Sequence, residues 1–187
     1  MKYGVYARAK HERSVSGDAC TVQKDGSKVL LALVDGLGSG EEAAKAAQIA
    51  IETIEEQQSL PLTEILKHCH RALRTTRGVV LGMLRVDLET NRMRYVGVGN
   101  VGIRVLSQEP FHPISYNGIV GYRLPRAREF VGQYHQGDLI VLYSDGIDSR
   151  FHGDELLLYG EQDLESIANT IAMRYGKEDD ICVLVAR

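Results

Sequence analysis

Residues 29–40 have the sequence VLLALVDGLGSG, in which six consecutive apolar residues end at an Asp-Gly pair. A continuous apolar run of this length is typical of a strand buried inside a sheet. We expect Val29–Val34 to form that strand, Asp35 to end it, and Gly36 to let the backbone turn tightly beside a ligand. The segment therefore predicts a carboxylate at the end of a buried strand.

Three further acidic motifs occur along the chain: Ser16-Gly17-Asp18, Tyr143-Ser144-Asp145-Gly146-Ile147 and Glu178-Asp179-Asp180-Ile181. Carboxylates that converge in a partly desolvated cleft repel one another and take up protons unless a cation neutralises them. Carboxylate, carbonyl and water oxygens suit Mg²⁺ or Mn²⁺, and none of the six histidines has an HExxH or similar ligand spacing. The motifs therefore predict a hydrolase that uses a hard divalent metal.

The remaining pattern predicts blocks of strands with helices placed early and late. Ser39 and Glu42 form a capping-box pattern, which predicts a helix from there to about Gln57. A second helix over 62–73 should pack antiparallel to the first, and a third is expected over 164–175. We expect a β-hairpin from 79–86 and 92–98 and another strand pair from 129–134 and 139–143. Further strands are predicted at 2–9, 19–24, 101–106 and 181–186. This arrangement indicates an α+β layered fold.

Length and composition limit the classes of protein that fit. The 187 residues, 44% of them hydrophobic, suffice for one sizeable core, so we expect a single domain over residues 1–187. A net charge of −3 offers no basic face for nucleic acid. No segment resembles a signal peptide or a membrane span, which predicts a soluble cytoplasmic protein. The three cysteines, Cys20, Cys69 and Cys182, are expected to be buried free thiols. The oligomeric state stays open.

The order of the acidic motifs, together with Gly97-Val98-Gly99-Asn100, carries a family resemblance. It resembles the PP2C-type metal-dependent serine/threonine phosphatases, and more closely their compact bacterial SpoIIE-like branch, over nearly the whole chain. The resemblance implies an αββα sandwich, in which helices flank two antiparallel sheets and the metals lie in a cleft at one edge. It also implies that the substrates are phosphorylated STAS-domain proteins of a stressosome or a similar sigma-factor pathway.

Carried over residue by residue, the resemblance implies a set of metal ligands. Asp35 would bridge two Mn²⁺ or Mg²⁺ ions, and the Gly36 carbonyl would complete one of them. Asp145 and Asp179 would hold the other ion, and Asp18 would lie in the inner shell or act through a coordinated water. Two such ions lower the pKa of a bridging water for direct attack on a phosphate monoester. Asp35 and Asp145 are thus the implied catalytic residues, acting through metal-bound water.

Three features of the sequence concern the substrate. Arg13 sits where eukaryotic relatives place a phosphate-binding arginine, although an exposed basic turn is an equally good interpretation. Leu37 replaces a histidine that eukaryotic relatives have available as a general acid, so another group must protonate the leaving oxygen. The stretch 107–128, which contains several prolines and glycines, is the predicted substrate-facing loop.

Two other classes of function remain open at this point. A non-catalytic phosphoprotein-binding module with a PP2C-like fold would recognise phosphoproteins without turnover, but it would have no reason to keep all the acids. A nucleotide-binding protein would use residues 36–40 at a helix N-terminus to hold phosphate. That segment lacks the Gly-Lys-Ser/Thr of a P-loop and the GxGxxG spacing. We therefore prefer the phosphatase.

Overall fold

A computed structural model describes residues 1–10, 14–148, 150–152 and 163–187 of the chain. Within these residues there are nine strands and three helices. The strands are β1 (Tyr3–Arg8), β2 (Asp18–Asp25), β3 (Lys28–Gly36), β4 (Val79–Asp87), β5 (Arg92–Val98), β6 (Gly102–Leu106), β7 (Phe130–Gln133), β8 (Leu139–Tyr143) and β9 (Ile181–Ala186). The helices are α1 (Glu41–Glu56), α2 (Leu62–Ala72) and α3 (Leu164–Tyr175).

The described strands form two antiparallel sheets that pack face to face. One sheet has the order β2-β3-β4-β5-β7 and the other the order β1-β9-β8-β6. In β3, Leu31 and Leu33 point into the core between the sheets, whereas Leu30 and Ala32 face helices α1 and α2. Helix α3 covers the outer face of the second sheet. The predicted αββα sandwich is confirmed, and β3 is apolar throughout because both of its faces are covered.

Helix α1 approaches the end of β3 very closely because its contact surface is made of alanines. Ala43, Ala46 and Ala50 are fully buried against the sheet. A Cβ atom at Gly36 would lie only 2.1 Å from the carbonyl oxygen of Ala43, so no larger residue fits there. This packing fixes the backbone directly after Asp35. Helix α2 contacts α1 as well, and the thiol of Cys69 donates to the Ala50 carbonyl at 3.9 Å.

Two predictions about the ends of elements near residue 35 were wrong. Strand β3 continues through Asp35 to Gly36, because both residues stay paired with β4, Asp35 opposite Val80. The expected capping box at Ser39 does not form: α1 begins at Glu41, with Gly40 at its N-cap and no side-chain cap hydrogen bond. Gly38 and Gly40 have φ angles of 99° and 74°, which are left-handed values that a helix does not contain, so the N-cap lies at Gly40, one residue later than predicted.

The predicted pairing of residues 129–134 with 139–143 was also wrong. Both strands exist as β7 and β8, but β7 pairs with β5 in one sheet and β8 pairs with β6 and β9 in the other. The chain crosses between the layers at residues 134–138, where the Asp138 carboxylate accepts from the His135 amide at 2.8 Å. Alternation of apolar residues identifies a strand but not its partner, so the sequence could not reveal this crossing.

The other predicted elements agree with the structure, including the hairpin of β4 with β5 and the late helix α3. The stretch 107–128 lacks helix and strand, and isolated bridges from Tyr116 to Val98 and from Val120 to Val79 hold it beside β5 and β4. All three cysteines are free thiols. Among the described residues, no helix has the length and apolar character needed to cross a membrane.

Candidate functional site

Two carboxylates meet at one end of the five-stranded sheet. Asp18 is the first residue of β2, and the antiparallel register places it directly opposite Asp35 in β3. A hydrogen bond of 3.0 Å from the Gly36 amide to the Gly17 carbonyl extends the pairing beyond them. Like charges at directly opposite positions destabilise an antiparallel pair. Since both faces of β3 are buried and this packing fixes its register with β2, the two carboxylates cannot move apart by slipping.

The second sheet supplies carboxylates to the same cleft. Asp145 follows β8, and Asp179 and Asp180 precede β9, its antiparallel neighbour. A hydrogen bond of 3.0 Å from the Ser144 amide to the Cys182 carbonyl brings the two strand ends together. All five carboxylates line one cavity of about 320 Å³, whose other lining residues are Leu37, Gly38, Val80 and Asn100. The structure therefore brings together the four predicted metal-binding side chains.

Asp18 provides the best test of whether this cleft fits a cation. Its side chain is only 8% exposed, and its buried Oδ2 atom has no hydrogen-bond partner among the described residues. An unpaired buried oxygen costs free energy unless another group satisfies it. A hard divalent cation would satisfy it, because such ions prefer carboxylate and carbonyl oxygens. The residues that line the cleft fit Mg²⁺ or Mn²⁺.

The mutual repulsion of the carboxylates is visible in their pKa values. Burial, followed by the charges of Asp18, Asp145, Asp179 and Asp180, raises the pKa of Asp35 to about 8. Burial raises the pKa of Asp18 to about 7, although a hydrogen bond from Ser144 opposes the shift. Without a cation, the cluster would therefore retain protons near neutral pH.

The rim of the cleft keeps the outer carboxylates engaged. Asn100 Nδ2 donates to Asp145 Oδ2 at 2.7 Å, and Lys10 Nζ lies 3.6 Å from Asp179 Oδ1. In the described part of the chain, no three His, Cys, Asp or Glu side chains already stand in an arrangement that would hold a metal ion. Asn100 and Lys10 thus hold Asp145 and Asp179 at the rim of the cleft.

Asp180 differs from its neighbour because both of its oxygens are already occupied. Oδ1 accepts from the Lys10 amide at 2.7 Å, and Oδ2 accepts from the Gly17 amide at 2.8 Å. Its side chain is 8% exposed, whereas that of Asp179 is 51% exposed. Asp180 therefore anchors the backbone on either side of residues 11–16.

Several residues of the cleft were not assigned roles from the sequence. Asn100 belongs to a motif that supported the resemblance, but only the structure shows its contact with Asp145. Lys177 Nζ donates to the Asp145 carbonyl at 2.6 Å. Arg77 places its guanidinium over Gly38, and no sequence motif indicated this. Arg13, the predicted phosphate-binding residue, lies outside the described residues.

Comparisons with known proteins agree with this fold. The family model for Stage II sporulation protein E (SpoIIE) matches residues 25–187. The chain is 26% identical to the phosphoserine phosphatase RsbX of Bacillus subtilis (strain 168), over 98% of this chain and 92% of that protein.

Solved structures give the same result. A crystal structure of RsbX in complex with magnesium superposes with a TM-score of 0.85 at 25% identity, covering 97% of this chain and 92% of the other. A chain from the structure described as "The bacterial stressosome: a modular system that has been adapted to control secondary messenger signaling" superposes with a TM-score of 0.95 at 37% identity, covering 99% and 98%. The protein therefore belongs to the SpoIIE family, the bacterial branch of the PP2C-type metal-dependent phosphatases that its motifs resemble.

Proposed function

We propose that this protein hydrolyses phosphoserine or phosphothreonine in a protein partner, using two Mn²⁺ or Mg²⁺ ions. Asp35 and the Gly36 carbonyl would hold one ion, Asp35, Asp145 and Asp179 the other, and Asp18 would complete the inner shell. One observation carries the proposal: carboxylates from both sheets converge in one cavity, where Asp18 Oδ2 is buried without a partner. The magnesium complex of RsbX supports an oxygen-liganded divalent ion.

Each residue of the cleft would have a different role in such a reaction. Two divalent ions between these carboxylates would activate a water molecule and neutralise the charge of the phosphate. Asp35 has a fixed backbone, because it is paired with β2 on one side and β4 on the other. Asn100 orients Asp145 through its hydrogen bond. Leu37 lines the cleft but has no proton to give, so the leaving oxygen must receive its proton from another group.

The substrates in this proposal are phosphorylated STAS-domain proteins of a stressosome or a similar sigma-factor pathway in the cytoplasm. The name of the relative RsbX supports phosphoserine, and the similar chain from a stressosome structure supports the pathway. One domain over residues 1–187 would carry the whole activity. Selectivity would come from residues 107–128, which the bridges to Val79 and Val98 hold beside the cleft.

Nucleotide binding at the start of α1 receives no support from the structure. Glu41 and Glu42 occupy the first turn of that helix. Their negative charges disfavour a phosphate group at an N-terminus that would otherwise attract one.

The test compares three phosphate monoesters. They are an intact phosphorylated STAS-domain protein, a short peptide that carries the same phosphosite, and p-nitrophenyl phosphate. We expect turnover in Mn²⁺, none in excess EDTA, and the highest kcat/KM for the intact protein. Absence of turnover on all three substrates in saturating Mn²⁺ would refute the proposal that the protein is a phosphatase. Equal kcat/KM for peptide and protein would refute recognition of a folded partner, and the phosphatase assignment would stand.

A further inference from the structure

Arg77 lies at the rim of the carboxylate cleft, where it fills the space that the missing side chain of Gly38 leaves open. A Cβ atom at Gly38 would lie 2.7 Å from Arg77 Nη1, which is too close for any side chain. Gly38 itself lines the cavity together with Asp18 and Asp35. The guanidinium of Arg77 therefore packs against one residue of the cleft wall, Gly38, although Arg77 itself is not among the residues that line the cavity.

The backbone that carries Arg77 is held on both sides. Thr76 Oγ1 donates to the Leu73 carbonyl at 2.8 Å and accepts from the Gly78 amide at 3.0 Å. The Gly78 carbonyl accepts from the Leu37 amide at 3.0 Å, so the turn of Arg77 is bonded to the segment that follows Asp35. Gly78 has a φ angle of 82°, which glycine adopts without strain. The position of Arg77 relative to the metal-binding residues is thus preorganised.

Arg77 also differs from the nearby Lys10 and Lys177, because no described residue forms an ion pair or a hydrogen bond with its guanidinium. Lys10 is paired with Asp179, and Lys177 donates to the Asp145 carbonyl. Among the described residues, Arg77 makes no hydrogen bond and no ion pair, and its side chain is exposed. A guanidinium has donors arranged as a planar fork that matches two oxygens of a phosphate group.

We propose that Arg77 binds the phosphate group of the substrate from its position over Gly38. The inference rests on the proposed function, since it names a contact with the substrate of that same site. A phosphate dianion that enters a cleft of five carboxylates needs a cation outside the metal site to offset their repulsion. Arg77 supplies that cation without having to leave an existing partner.

The test uses the 187-residue chain as Arg77→Gln and Arg77→Lys variants, with Arg74→Gln as the matched control. Arg74 is an exposed arginine three residues earlier that is not among the nearest neighbours of Gly38. Three quantities are measured: kcat and KM on p-nitrophenyl phosphate in Mn²⁺, the inhibition constant of inorganic phosphate, and the rise in melting temperature on adding phosphate to Mg²⁺-loaded protein. The rise in melting temperature that Mn²⁺ alone produces is measured for each variant as well, because it shows whether the metal site is intact.

For Arg77→Gln we expect KM and the phosphate inhibition constant to rise about 10- to 100-fold, the value of a charge-assisted hydrogen bond. The effect on kcat should be smaller, Arg77→Lys should be intermediate, and Arg74→Gln should match wild type. Wild-type KM and phosphate inhibition in Arg77→Gln would overturn the proposal, as would loss of the stabilisation by Mn²⁺. If wild-type protein showed no turnover, the proposed function would fail, and the phosphate-induced melting shift would still decide the role of Arg77.

Discussion

The two ends of the five-stranded sheet handle charge in opposite ways. At the cleft end, the register sets Asp18 opposite Asp35, so that two negative charges face each other. At the far end, it sets Asp87 opposite Lys28 on one side and opposite Arg92 on the other, so that charges of opposite sign alternate. Opposite charges at these positions stabilise a sheet and like charges destabilise it. The far end serves the fold, whereas the cleft end needs a bound cation.

The volume of the cavities alone would have placed the candidate site at the wrong end of the five-stranded sheet. The far end contains a cavity of about 710 Å³, more than twice the volume of the cleft. Three of its charged side chains already have partners: Arg85 donates to the Leu60 carbonyl at 2.8 Å, and Arg94 pairs with Glu129 at 3.1 Å. The smaller cleft is distinguished by charges that the protein leaves uncompensated.

The largest expected effect is the loss of activity when metal is removed. In excess EDTA, turnover should fall by at least about 1,000-fold, because the cations contribute several kcal/mol to the stabilisation of the transition state. The fall in turnover is measured as the rate of phosphate release before chelation, after chelation and again after Mn²⁺ is restored. Full activity in EDTA would contradict the assignment of the cleft end. Zn²⁺ is the control ion, and we expect it to restore less activity, since the cleft offers oxygen ligands.

Asp35→Asn should separate activity from stability. We expect most of the turnover to disappear in saturating Mn²⁺, and Asp145→Asn should behave similarly. In EDTA, however, Asp35→Asn should melt about 2–5 °C above the wild type. The asparagine keeps the side-chain shape and spares the native state the proton uptake, or the repulsive charge, that the buried carboxylate imposes. Calorimetry with and without metal measures both effects. A lower melting temperature in EDTA would show that the carboxylate of Asp35 stabilises the apo fold.

The stability of the metal-free protein should depend on pH. The pKa of Asp35 is about 8 and that of Asp18 about 7, against an ordinary value of 3.8. Between these values the native state holds protons that the unfolded state has released. The stability that these two groups contribute is therefore greatest at and below about pH 4 and is lost as the pH rises towards 8. Each group contributes a slope of at most about 1.4 kcal/mol per pH unit.

Melting temperatures in EDTA across this pH range test that slope, and Asp35→Asn should flatten it. Addition of Mg²⁺ at pH 8 should restore the lost stability, since a ligand that binds only the native state favours it by mass action. A wild-type melting temperature that does not fall between pH 5 and pH 8 in EDTA would contradict the raised pKa values.

The smallest effect is expected at the far end. Asp87 Oδ1 accepts from the amides of Glu89 and Thr90, both at 3.0 Å, in the turn between β4 and β5. Asp87→Asn keeps an oxygen for these contacts and removes only the charge between Lys28 and Arg92. The melting temperature should fall by roughly 1–3 °C, and kcat/KM in Mn²⁺ should stay unchanged. A loss of activity similar to that of Asp35→Asn would mean that the two ends are functionally coupled.

The sequence predicted the layered fold and the carboxylate cluster because both depend on local patterns. An apolar run that ends in Asp-Gly reports burial and a turn, and its position along the chain places Asp35 and Asp145 at strand ends. The pairing of β7 with β5 could not be read in this way, because it depends on which sheet edge is free. Arg77 was missed for a related reason: its role depends on contact with Gly38, a residue in another turn, and no motif records that contact.

The strand order β1-β9-β8-β6 has a consequence for how the enzyme is made in the cell. Strand β9 is the last of the described strands in chain order, yet it lies between β1 and β8 and is fully buried. Chains fold while they are synthesised, and contacts between distant segments form late. Asp179 and Asp180 directly precede β9, so the nascent protein cannot assemble the cleft until this strand has left the ribosome and inserted. Nascent chains that do not yet include β9 would therefore be inactive. Phosphatase activity would appear in the cell only after β9 has been synthesised and has inserted into the sheet.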